Sequence, residues 1–126
     1  FSLAPDHPLA DSKALFFKNL DGQTMLLYSK IGVWYPMHVK KQPHTHFILQ
    51  DNHDVFCDLT RHSTLPTYVS DLNIEKNGMP KNRKIIPIID EEATNTFYLV
   101  CKKKNKKLLE PLYRACETRL ANKKKK

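Results

Sequence analysis

The apolar and polar positions of this chain alternate mostly in short, strand-like runs, and the chain closes on one helical pattern. Met25-Leu26-Leu27-Tyr28 is the clearest run, closed by Ile31-Gly32. Residues 45–50 form the next strand. Asp51-Asn52-His53-Asp54 reads as a turn of side chains that bond their own backbone, with residues 55–59 as the return strand. Residues 68–74 alternate apolar and polar side chains, as a half-buried strand does, and Asn77-Gly78-Met79-Pro80 turns the chain. Residues 33–39 are aromatic but broken by Pro36, which predicts an edge strand or a long loop. Residues 85–89 are broken by Pro87, which predicts an edge or a bulge. Residues 96–101, Thr-Phe-Tyr-Leu-Val-Cys, are the last strand.

Residues 1–10, with Pro5, His7 and Pro8, read as an irregular lead-in. For residues 11–20 two readings compete. Asp11 or Ser12 caps a short helix that Gly22 stops, or residues 14–19 and 24–29 form a hairpin across Asp21-Gly22. We favour the hairpin. After the last strand, Leu109, Leu112, Cys116 and Leu120 recur at spacings of three and four, the single apolar stripe of a helix. Pro111 starts that helix near Glu110-Pro111 or bends it there. The expected organisation is a lead-in over 1–10, a single domain over 11–121 and a lysine tail over 122–126.

Composition sharpens this picture only in places. At 126 residues, 40% hydrophobic and 27% charged, the chain is one globular domain that needs no metal or disulfide staple. No apolar run approaches the roughly 20 residues of a membrane span. A first residue other than methionine reads as an excised domain or a processed product, without a signal-peptide pattern. Cys57, Cys101 and Cys116 show no CxxC spacing and read as buried free thiols of a reducing compartment. Net charge is +8, and the nine lysines at 102, 103, 104, 106, 107 and 123–126 leave −1 for everything else. Basicity placed in this way suits an acidic surface, whether phospholipid, nucleic acid or protein.

Candidate chemistry is sparse. There is no Gly-x-Ser-x-Gly elbow and no glycine-rich phosphate loop among only 3 glycines, so nothing points to nucleophilic hydrolysis or nucleotide hydrolysis and no enzyme is expected. Cys57 beside Asp58 and His62 reads as a structural cysteine. His44 and His46 share one strand face, with His53, Asp54 and His62 nearby. Without a third ligand at metal spacing they read as surface histidines, so no metal and no cofactor is expected. Asp51, Asp54 and Asp58 are not spaced as a calcium loop.

The order of elements resembles a pleckstrin-homology domain. Leu26-Leu27-Tyr28-Ser29-Lys30 looks like its first strand, His46-Phe47-Ile48-Leu49-Gln50-Asp51-Asn52 its second and Val55-Phe56-Cys57-Asp58 its third. Leu65-Pro66-Thr67-Tyr68-Val69-Ser70-Asp71-Leu72, Arg83-Lys84-Ile85-Ile86-Pro87-Ile88, Phe97-Tyr98-Leu99-Val100-Cys101 and the closing helix complete the order. The resemblance implies a mainly β, seven-stranded bent antiparallel sheet or barrel capped by one C-terminal α-helix. It implies a head-group site at the open end, with Lys30, Lys40, Lys41 and Arg61 as candidates. Gln42 stands where lipid-binding members carry an arginine, whose planar fork glutamine cannot replace. Lys102, Lys103, Lys104, Lys106 and Lys107 form a diffuse basic surface away from that pocket.

A second resemblance is to RNA-recognition folds. Leu15-Phe16-Phe17-Lys18-Asn19-Leu20 matches their short aromatic strand, and His46-Phe47-Ile48-Leu49 could be a further strand, making Phe16 and Phe47 base-stacking platforms. The first expectation is a non-catalytic adaptor peripheral at the cytoplasmic face of a membrane, docked on anionic phospholipid. The alternatives are a scaffold module for a protein partner and a single-stranded RNA-binding domain.

Overall fold

The computed structural model describes residues 1–123, with side chains to residue 119. The chain divides into two compact units, Phe1–Thr94 and Asn95–Lys126. The expected seven-stranded barrel does not form. Among the described residues there are four strands in two two-stranded sheets, β1 (Ser2–Leu3) paired with β4 (Lys84–Ile85) and β2 (Thr24–Tyr28) with β3 (His46–Gln50), alongside four α-helices. The class is α+β.

The β2 and β3 expectations hold closely, but their relation is parallel, Thr24 opposite His46 through Tyr28 opposite Gln50. Parallel neighbours need a crossover, and α1 (Trp34–Lys41) supplies it where an edge strand or loop was expected. Pro36 misleads because it falls in the first turn of α1, where backbone N–H groups have no helical acceptor and proline costs nothing. Met25, Leu26 and Leu27 are consecutive and all buried. Successive strand side chains point to opposite faces, so both faces of β2 are covered.

Two further expected strands are helices. Asn52 is not a hairpin turn but the cap of α2 (His53–His62), its side chain accepting from the Asp54 and Val55 amides at 3.0 and 3.2 Å. Ser70 caps α3 (Asp71–Asn77), accepting from the Asn73 amide at 3.1 Å, and Gly78 ends that helix at φ +81°. Once a cap gives the first orphan amides an acceptor, the apolar residues of such a stretch follow helical spacing. The favoured hairpin is half right. Residues 24–28 are a strand, but Phe17–Leu20 is a 3-10 turn, not its partner, and Gly22 at φ +85° turns the chain between them.

Residues 1–4 are buried, not a free lead-in. Ser2 and Leu3 pair with Ile85 and Lys84, and Ser2 exchanges backbone bonds with Thr67 at 2.8 and 3.1 Å. The Phe1 nitrogen donates to the Ile86 carbonyl at 2.6 Å, the bond any backbone N–H would make there. Phe1, Leu3, Leu15, Phe17, Leu20, Met25 and Ile86 form the core of this unit, each apolar side chain worth about 2 kcal/mol when fully buried. Arg83 ties β1 to the loop before α3. Its guanidinium donates to Ser2 Oγ (3.1 Å), Ser2 O (2.6 Å), Ser63 O (3.0 Å) and Leu65 O (2.7 Å).

In the second unit, residues 95–101 are without regular secondary structure, so the expected last strand does not pair. Lys103–Asn105 is a 3-10 turn and α4 (Lys106–Lys123) follows, starting a turn earlier than expected and holding Pro111 inside. Tyr113 Oη donates to the Leu99 carbonyl at 3.1 Å, folding 95–101 back on α4. There is no closed sheet for α4 to plug. Within its stripe Leu112 and Cys116 are exposed, and Leu120 lies beyond the described side chains, as does the lysine tail expected over 122–126.

Candidate functional site

The three lysines and the arginine expected at a head-group pocket do not converge. Lys30 follows β2, while Lys40 and Lys41 end α1 just before β3. They therefore sit at opposite ends of a helix about 12 Å long. Three of the four have an acidic neighbour. Lys30 lies 3.9 Å from Asp51, Lys41 pairs with Glu92 at 2.6 Å, and Arg61 on α2 pairs with Asp58 at 2.6 Å. The Lys41–Glu92 hydrogen bond holds the ammonium above its ordinary pKa and the carboxylate below its own. Gln42 is buried, accepts from the Tyr68 hydroxyl and donates to Met25 Sδ at 3.5 Å, so it belongs to the interior and not to a phosphate site.

Other expected groups also find structural places. His44 is exposed, with Nδ1 2.8 Å from Asp21 Oδ2, a bond that lowers the Asp21 pKa. His46 is exposed on β3. Among the described residues, no three histidine, cysteine or acidic side chains are grouped to hold a metal. Cys57 Sγ lies 3.8 Å from the His53 ring nitrogens, one turn back on α2, whereas His62 Nδ1 bonds the Asp58 carbonyl. The thiols are free, but Cys57 and Cys101 are only partly buried and Cys116 is exposed. Phe16 is exposed on a turn and Phe47 packs on the core, with no sheet that presents both rings.

The C-terminal unit holds the cations together. It carries nine lysines and two arginines against two glutamates, a net charge of +9, which leaves −1 for the first unit. Lys102, Lys103, Lys104, Lys106 and Lys107 are all exposed, and among the described residues none is in an ion pair. The two arginines differ: Arg114 is held by Glu110 at 2.8 Å and Arg119 is also engaged. On both sides of the lysines lie apolar side chains open to solvent: Phe97 at 70%, Tyr98 at 81% and Val100 at 80% exposure before them, Leu108 at 78% after. Residues 97–100 read from sequence as a core strand. Their strand-like composition carries no signal of exposure, because composition alone does not say whether a partner strand arrives.

No protein-family model, curated protein or solved structure matches this chain. Among the described residues no helix is long and apolar enough to cross a membrane.

Proposed function

We propose that this chain is a non-catalytic module that docks peripherally on anionic phospholipid, through the C-terminal unit and not through a head-group pocket. One observation carries the reading: five unpaired lysines over residues 102–107 lie between exposed Phe97, Tyr98 and Val100 on one side and Leu108 on the other. An anionic leaflet attracts each lysine by about 1 kcal/mol. Five alone give an affinity on the order of 0.1–1 mM. Aromatic and aliphatic side chains that enter the interface add burial energy that charge cannot supply. Anionic lipid lies mainly in the cytoplasmic leaflet, which makes that face the target.

Sedimentation of the full chain with phosphatidylcholine vesicles, with and without about one third phosphatidylserine, tests this. Pelleting should require phosphatidylserine, fall steeply by about 0.3 M salt, and fail when Lys102, Lys103, Lys104, Lys106 and Lys107 are changed to glutamine. It should not distinguish one phosphoinositide from another of equal charge. Absence of pelleting at low salt overturns the reading. It would favour a protein partner instead, because residues 95–101 have strand-forming side chains without a pairing partner and can complete another protein's sheet.

A further inference from the structure

β3 is the outer strand of its sheet, paired with β2 along one side only. Two bonds fix which way its backbone faces: the His46 amide donates to the Gln23 carbonyl at 3.0 Å, and the Ser29 amide to the Gln50 carbonyl at 2.9 Å. His46, Ile48 and Gln50 therefore turn their backbone groups toward β2. Phe47 and Leu49 turn theirs outward, and among the described residues no backbone or side-chain group meets them.

Open edges usually carry a lysine, a proline or an inward charge that keeps other strands away. β3, His46-Phe47-Ile48-Leu49-Gln50, has none of these, and Ile48 and Leu49 stand 40% and 47% exposed, one on each face. Nothing charged on this edge selects an acidic or a basic peptide, but the strand is its own complement. About a two-fold axis through Ile48, an antiparallel copy sets Phe47 opposite Leu49 twice over, each pair exchanging two backbone bonds. Ile48 meets its own copy on the axis. His46 then faces Gln50 and Thr45 faces Asp51, so polar groups lie at both ends and the apolar residues between them. The two Asp51 carboxylates fall about 20 Å apart. With a net charge of −1 on the first unit, this pairing sets no like charges face to face.

We propose that the open edge of β3 docks a second copy of this chain, the two β3 strands pairing antiparallel about Ile48 into one continuous sheet, β2-β3-β3-β2. A contact one strand long lies at the small end of specific interfaces, below roughly 1,200 Å², so the pairing is weak and follows concentration.

Sedimentation equilibrium of the full chain tests this from about 10 µM to about 1 mM, under reducing conditions so that the free cysteines stay unlinked. The mass should rise from 14.7 kDa toward twice that value. Hydrogen exchange locates the contact. At the highest concentration the Phe47 and Leu49 amides should exchange about threefold more slowly, with a smaller change at Ile48 and Gln50, which β2 already holds. Ile48→Lys sets two like charges face to face on the axis and should leave a single-chain mass at every concentration. Should Ile48→Lys fold poorly by Trp34 fluorescence, Leu49→Pro gives the same comparison, because it removes an outward N–H that an edge strand can lose. A single-chain mass for the unchanged protein at the highest concentration, a pair that survives in the folded variant, or no slowing at Phe47 and Leu49 each overturns the proposal.

Discussion

The His38 imidazole lies flat on the Tyr68 ring, 3.8 Å between centroids and 11° between planes. One ring comes from α1 and the other from the loop before α3, so the stack joins the crossover helix to that loop. Phe1 and Phe17 close around it, at 5.4 and 6.2 Å from Tyr68. The burial that makes this cluster also sets its response to pH.

Desolvation holds His38 down to about 4, from an ordinary value of 6.5, with the positive charge of the Phe1 amino group adding to the effect. The folded state thus resists a proton that the unfolded chain accepts. Stability from this group is complete above pH 6.5 and is lost as pH falls to about 4, a loss of about 3 kcal/mol. Urea denaturation between pH 6 and 4 isolates the histidine, and His38→Phe should flatten the curve in that window.

Arg83 has four hydrogen bonds and is buried. Lysine in its place keeps the charge but loses the planar fork that reaches Ser2, Ser63 and Leu65 together. Arg83→Lys should cost about 2–3 kcal/mol, read as a lower urea midpoint by Trp34 fluorescence.

Asn52 supplies the side-chain acceptor for the Asp54 and Val55 amides at the start of α2. Asn52→Ala should cost about 1 kcal/mol, whereas Asn52→Asp, which keeps the acceptor, should cost little. Thermal melts of the two variants followed by circular dichroism make the comparison.

If apolar insertion contributes to membrane docking, Phe97→Ser with Tyr98→Ser should weaken vesicle binding about tenfold even with every lysine kept. Both side chains are more than two-thirds exposed, so the unfolding transition reported by Trp34 should not move. An unchanged vesicle affinity would leave the lysines as the sole attraction.

Local signals in the chain were readable where a single residue enforces them. The run 25–28 makes β2, and 45–50 contains β3. Gly22 and Gly78, at positive φ, turn the chain where glycine is sterically needed. The apolar spacing from 109 to 116 lies in α4, and the charge asymmetry is a property of composition alone. Asn52 and Ser70 were also visible. Each can close a turn or cap a helix, and which one it does depends on the packing that follows.

Chain chemistry by itself therefore determined the two central strands, the closing helix and the gathering of cations in the last 32 residues, since those depend on neighbours a few positions apart. Only the tertiary structure decided that β2 and β3 run parallel, that residues 1–4 are interior and that Gln42 belongs to the core. It also decided that Phe97 and Tyr98 stay outside. Each of these depends on groups distant in sequence, Ser2 on Arg83 or His38 on Tyr68, and the free energy of such meetings comes from burial and pairing that no local pattern records.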